Sequence, residues 1–174
     1  MSAEPQFQPL SIAVLTVSDS RSAANDTSGD YLCDALTQAG HILGQRMLVK
    51  DDIYQIRAQI SQWIADSVIQ AVLITGGTGF SGRDSTPEAI APLFDKVIEG
   101  FGEIFRSLSL TDIGTSTIQS RALAGFANHT VMFAMPGSTG ACRLAWDKIL
   151  VEQLDSRHRP CNFYGVLRAS TSRP

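Results

Sequence analysis

The sequence predicts an α/β fold of three layers, a mostly parallel sheet with helices on both faces, and three observations predict it. Short apolar runs rich in β-branched residues recur at 11–17 ("SIAVLTV"), 70–75 ("QAVLIT") and 130–135 ("TVMFAM"). Segments with helical spacing lie between them, and strands separated by helices pair in parallel under cover on both sides. No internal repeat, low-complexity tract or linker divides the 174 residues, which suit one domain with a substantial core. The expected unit is a single domain over 1–174, with terminal extensions at 1–9 and about 156–174.

Each element has its own warrant. "SIAVLTV" reads as a strand buried on both faces, followed by the polar loop "SDSRSAANDT". Tyr31, Leu32, Ala35, Leu36 and Ala39 then share one helical face, and Gly40 stands where that helix must end. "HILGQRMLV" (41–49) offers a second strand. Asp51 and Asp52 occupy a helix N-cap position ahead of Ile53, Ile56, Ile60, Trp63 and Ile64, which line one face. After the strand at 70–75 and a glycine-rich turn, Thr86-Pro87-Glu88 reads as a helix start, with Thr86 as the capping hydroxyl. "IGTSTIQSRALAG" (113–125) is expected to be helical towards its end. The strand at 130–135 is broken by "PGSTG" (136–140), and the next helix carries Ala141, Leu144, Ala145, Ile149 and Leu150. The last stretch, "DSRHRPCNFYGVLRASTSRP", has weak periodicity and reads as a surface-running tail.

Composition narrows the function. Hydrophobic residues make up 44% and charged residues 18%, which fits a globular protein and argues against disorder. The formal charge is −3 with Lys and Arg scattered singly, so no basic tract is available to neutralise nucleic acid. No apolar run approaches the ~20 residues of a membrane span. "MSAEPQFQPL" lacks a charged start followed by an apolar segment, so secretion is not indicated. Cys33, Cys142 and Cys161 are odd in number and far apart, which points to a reducing cytoplasm. His41, His129 and His158 are equally dispersed, so no zinc site is expected.

The stretch "LITGGTGFSGRDSTPEAI" (73–90) contains G-x-G-x-x-G at Gly77, Gly79 and Gly82. A dinucleotide fingerprint starts its helix within the glycines and opens the first βαβ unit. Here Arg83, Asp84, Ser85 and Thr86 intervene before Pro87, and the turn follows the third strand, so NAD is not expected. No Gly-Lys-Ser/Thr is present, which excludes a P-loop. Gly76, Gly77 and Gly79 instead allow positive φ and close approach to a ligand, with successive N–H groups cradling an anion. Asp84 follows, and a carboxylate beside a phosphate calls for a cation; Mg2+ suits one or two carboxylates plus phosphate oxygens. Asp51 or Asp52 would add a ligand from the neighbouring loop. Taken singly, these features also fit a plain tight turn, a turn carboxylate and an N-cap, with Ser18 and Asp19 satisfying local backbone. The loops "SDSR", "GGTGFSGRD" and "PGSTG" all leave strand ends, where α/β folds bind ligands.

"TGGTGFSGRDSTPEA" (75–89) resembles the central motif of the molybdenum-cofactor biosynthesis family that includes MoaB and MogA. Agreement extends through "EGFGEIFRSLSL" (99–110), "IGTSTIQSRALAG" and "FAMPGSTGACRLAW" (133–146), and through "TVSDSR" (16–21), "DTSG" (26–29) and "VKDD" (49–52). It spans roughly residues 8–165 and is strongest towards the MoaB branch. The resemblance implies a molybdopterin-binding fold, a homotrimer or homohexamer, and transfer of AMP from Mg-ATP to molybdopterin with release of pyrophosphate. By motif it implies a catalytic, metal-linked role for Asp84 and Asp51. It also implies ligand contacts from Ser18 and Asp19, from Gly77, Thr78 and Gly79, and from Pro136, Gly137 and Ser138. Positioning and charge offset suffice for such a transfer, so no nucleophilic Ser or Cys is expected. Family members commonly carry Pro at Gly82 and Val at Ser85, departures that bear on how Asp84 is aimed. Two readings follow: a molybdopterin adenylyltransferase, or a catalytically silent carrier of molybdopterin or nucleotide in the same pathway.

Overall fold

The computed structural model describes residues 6–171. A six-stranded sheet runs through the centre in the order β2-β1-β3-β6-β5-β4. Its parallel half comprises β2 (Ile42–Val49), β1 (Ser11–Val17), β3 (Ala71–Thr75) and β6 (Thr130–Met135). β5 (Leu123–Ala127) and the two-residue β4 (Lys96–Val97) complete it in antiparallel pairing. The three central parallel strands are buried along their whole length, as their continuous apolar runs require.

Strand alternation divides the core in two. Ile12 and Val14 of β1, Leu73 of β3, and Val131 and Phe133 of β6 face one side. There they meet α1 (Thr27–Gln38), α4 (Glu99–Ile113), α5 (Thr139–Ala145) with its π-turn continuation Trp146–Leu150 and α6 (Val151–Gln153), and α7 (Phe163–Thr171). Leu15, Val72, Ile74 and Met132 face the other side, against Ile56, Ile60 and Trp63 of α2 (Ile53–Ala65) and Ala89 and Ile90 of α3 (Thr86–Ile90). The three layers follow directly. Gly40 takes φ +91° just past α1 and ends it.

Four expectations change. The end of 113–125 is not helical: α4 stops at Ile113, a 3₁₀ turn covers Gly114–Gln119, and Leu123–Ala127 is strand β5. Ala124 and Ala127 face inward, and Asn128 at φ +53° turns the chain directly back into β6. That hairpin outweighs the helix propensity of Arg, Ala and Leu. The tail does not simply run over the surface. α7 docks on the core, with Phe163 edge-on to Phe133 at 5.6 Å and Leu167 buried. Thr86 is not a capping hydroxyl; Ser85 holds the N-cap position of α3, and the Thr86 hydroxyl donates to the Gly76 carbonyl at 2.8 Å. Only Gly76 (+103°) and Gly77 (+65°) of the glycine turn take positive φ, so Gly79 serves close approach alone. Residues 1–5 and 172–174 of the expected extensions lie outside the described residues.

The docking of α7 is measurable. Leu167→Ala should lower stability by about 2–5 kcal/mol in denaturant unfolding. Val166→Ala, on the exposed side of the same helix, should stay within about 0.5 kcal/mol of the parent. Equal, small effects at both positions would show that the helix contributes nothing to the core.

Candidate functional site

In the order 2-1-3 the chain winds outward on both sides of β1, and the crevice of such a sheet lies at the carboxyl ends of its strands. A cavity of about 400 Å³ lies at this edge. The loop after β1 supplies Ser18 and Asp19, and the turn after β2 supplies Asp51. The loop after β3 supplies Gly77, Thr78, Gly79 and Asp84, and the loop after β6 supplies Pro136 and Gly137. Ser138, the remaining expected contact, does not line the cavity. Its hydroxyl caps α5, accepting from the Ala141 N–H at 3.1 Å.

The carbonyls of Gly77, Thr78 and Gly79 in the glycine turn are bonded within the chain, and among the described residues their amides are not. Gly77 C=O accepts from the Thr86 N–H at 2.9 Å, and Thr78 C=O accepts from the Arg121 N–H at 3.0 Å. Gly79 C=O accepts from Arg121 Nε at 2.7 Å. Among the described residues the N–H groups of Gly77, Thr78 and Gly79 make no hydrogen bond within the chain. Three adjacent donors beside a cavity form an anion cradle. Arg121 also donates to the Asp84 carbonyl at 2.9 Å and pairs with Glu88, so one guanidinium braces both ends of the loop.

The paired aspartates separate by role. Asp52 is the N-cap of α2, accepting from the Tyr54 and Gln55 N–H groups at 3.0 and 2.9 Å. Asp51 is buried and lines the cavity; its Oδ1 accepts from Ser85 N–H and Oγ at 3.0 and 2.6 Å, leaving Oδ2 against Gly77. A Cβ at Gly77 would come within 2.7 Å of that oxygen. Asp84 folds back over Gly79 and accepts from the Ser81 N–H at 2.7 Å. Two carboxylates thus flank the cradle.

Ser18 and Asp19 do local work as well. Ser18 Oγ accepts from Ser20 and Arg21 N–H groups, and Asp19 Oδ1 accepts from the Asp51 N–H at 3.2 Å. Arg83 forks onto Asp19 through Nε and Nη2, both at 2.8 Å, and this pairing holds the Asp19 carboxyl below its ordinary value.

Arg21, Asp26, Ser28 and Arg121 were not singled out by sequence reasoning, yet they set the geometry. Arg21 donates to Ser28 Oγ and to Gly137 C=O, and Ser28 Oγ donates to the same carbonyl at 3.0 Å. Buried Asp26 caps α1 and receives Thr16 Oγ1 at 2.7 Å and Arg46 at 3.0 Å. Burial alone would raise its carboxyl, but the bonds from Thr16, Arg46 and Gly29 hold it below the ordinary value. Arg21 and Arg121 lie in loops and Ser28 in the first turn of α1, where capping and ligand contact look alike, so only Asp26, immediately before that helix, carried a readable signal.

Comparison with known proteins places this geometry. The family described as probable molybdopterin binding domain matches residues 13–156. Molybdenum cofactor biosynthesis protein B of Escherichia coli (strain K12) is 57% identical over 163 residues, covering 94% of this chain and 96% of its own length. The protein of the same name from Bacillus subtilis (strain 168) is 46% identical over 142 residues, covering 81% and 84%. A crystal structure of molybdenum cofactor biosynthesis protein B superposes with a TM-score of 0.85 at 36% identity, covering 95% of this chain and 98% of that one. Among the described residues no helix is long and apolar enough to cross a membrane. With matches over nearly its whole length, and the site on the predicted strand ends, the chain belongs to the molybdopterin-binding family of molybdenum cofactor biosynthesis proteins.

Proposed function

We propose that the cavity holds molybdopterin and catalyses transfer of AMP to its terminal phosphate from ATP, with Mg2+ carried by Asp51 and Asp84. One observation carries the reading: one cavity is lined by three residues whose backbone N–H groups make no hydrogen bond among the described residues, and by two carboxylate residues, Asp51 and Asp84. Those carboxylates would repel a phosphate unless a cation lies between them. The donor set fits Mg2+, a hard ion that takes few protein carboxylates and completes its shell with waters and phosphate oxygens. No three His, Cys, Asp or Glu side chains cluster into a metal cage among the described residues. That leaves coordination positions to water and guest.

In the transfer, an oxygen of the pterin phosphate attacks the α-phosphorus of ATP. A new P–O bond forms as the bond from that phosphorus to the oxygen bridging the β-phosphate breaks, and pyrophosphate leaves with the electron pair. Bound Mg2+ would supply charge stabilisation on the phosphate oxygens. The chain's own contribution is positioning: the Gly77–Gly79 amides hold an oxyanion, and the Gly137 loop, fixed by Ser28 and Arg21, forms the adjoining wall. No covalent intermediate is required. The one cysteine near the site, Cys142, is buried behind Pro136 with its thiol pushed up to about 11 by burial, which suits a structural role.

The proposed setting is the cytoplasm, with molybdopterin and a nucleotide as partners and assembly as a homotrimer or homohexamer. Ile104, Leu110, Ile113 and Ile118, more than half exposed on α4 and the turn after it, support self-association.

Incubation with molybdopterin and Mg-ATP should yield adenylated pterin and pyrophosphate. Tight pterin binding without turnover would identify a silent carrier instead. Asp84→Asn keeps an acceptor for the Ser81 N–H and should retain the fold and much pterin binding, while turnover falls by about a hundredfold or more. Turnover that survives this change would remove Asp84 from the metal site. Sedimentation should show more than one copy per particle, and a monomer at all concentrations would exclude the assembly.

A further inference from the structure

Two arginines line the cavity, and they are held very differently. Arg21 is built into the framework through Ser28, the Gly137 carbonyl and Asp26 at 3.6 Å. Its side chain is 28% exposed and has no freedom to turn towards a guest without releasing the loop after β6. The side chain of Arg83 is 68% exposed, and its only side-chain partner among the described residues is Asp19. That pair spans the mouth from the loop after β1 to the loop after β3. An ion pair so exposed is weak. Its geometry is a planar two-donor fork, and the same fork fits a phosphate as well as a carboxylate.

Building on the function proposed above, we propose that Arg83 is the polyphosphate-recognition residue of this cavity, held in place by Asp19 until phosphate oxygens of the ligand displace that carboxylate. The charges around the cavity explain why a polyphosphate is needed. Asp19, Asp51 and Asp84 all line it, and among the described residues Arg83 is the only side chain paired with Asp19. Once Arg83 turns to a ligand, Asp19 retains the Asp51 N–H and the field of Lys50, whose ammonium donates to the Asp19 carbonyl at 2.7 Å. A single phosphate at the glycine cradle gives the guanidinium little reason to leave a carboxylate of similar charge. A triphosphate reaching the rim offers more charge and several oxygens, so the exchange favours it. Arg83 therefore distinguishes ATP from AMP, while the cradle accepts the phosphate common to both.

The test measures dissociation constants of ATP, AMP and inorganic tripolyphosphate for the full chain by calorimetry, with Mg2+ at fixed ionic strength. Four proteins are compared: the parent, Arg83→Gln, Arg83→Lys and Asp19→Asn. Arg83→Gln should weaken ATP and tripolyphosphate by about tenfold or more and AMP by less than about twofold. Arg83→Lys should fall between, because it keeps the charge and loses the fork. Asp19→Asn should bind ATP as tightly as the parent or more tightly, since the competing carboxylate is gone. Unchanged melting temperatures confirm that the surface changes leave the fold alone. ATP affinity unaffected by Arg83→Gln, equal losses for ATP and AMP, or an Asp19→Asn loss matching that of Arg83→Gln would each overturn the proposal. A parent protein that binds neither ATP nor AMP would refute the adenylyl-transfer reading, and the tripolyphosphate arm would then decide the role of Arg83 by itself.

Discussion

Three parallel strands can end on a shared rim only if their exit loops touch, and the touching point is Gly76. Its φ of +103° is a conformation that side chains rarely tolerate, and a Cβ there would collide with the Val17 carbonyl. Its N–H is bound to Met135 C=O at 3.0 Å, and its own carbonyl receives the Thr86 hydroxyl. Gly137 stands over it so closely that a Cβ would lie 3.3 Å from the Gly76 Cα. Backbone packs on backbone, without side chains between. The cradle, the Asp51 position and the wall after β6 are all referred to this one contact.

Around that seam the charges fall into two tiers. The inner tier, Asp26 with Thr16, Arg46 and Arg21, is buried or half-buried and satisfied by several partners at once. Such a network fixes loop geometry, because removing one member strands the others in a low dielectric. Arg121 plays the same part on the far side of the glycine turn. The outer tier, Asp19 with Arg83, meets solvent and has a single side-chain bond pattern. A well-tied interior with an adjustable rim suits the proposed function, in which one guest is held while another is admitted.

Much of this was legible in the sequence, and the failures are instructive. The buried strands announced themselves because a strand covered on both faces is apolar at every position, as at 11–17 and 71–75. Helices with clean stripes, such as Ile56, Ile60 and Trp63, were equally plain. β5 was not: "LAGFA" is short, contains Ala and Gly, and becomes a strand by pairing with β6 across the turn at Asn128 and with β4 on its other edge. The docking of α7 rests on Phe163 and Leu167, one helical turn apart, too few apolar positions to stand out from a polar tail. At the site, nine of the ten expected residues line the cavity, because strand ends and polar loops define the rim topologically. The division of labour between Asp51 and Asp52 shows only in their partners, Ser85 for the first and the Tyr54 and Gln55 amides for the second. The roles of Arg21, Arg83 and Arg121 include pairings with Gly137, Asp19 and Asp84, 116, 64 and 37 positions away, which local patterns cannot encode.

The central strands also dictate when the binding crevice can exist. β1 and β3 are made before the neighbour that completes the rim, β6, which ends at residue 135. During synthesis the first two loops emerge with nothing opposite Gly76 to close them. Parallel pairing over such separations is slow because chain entropy must be given up before the contacts form. A nascent chain therefore lacks the completed rim until β6 and the loop that follows it have been made.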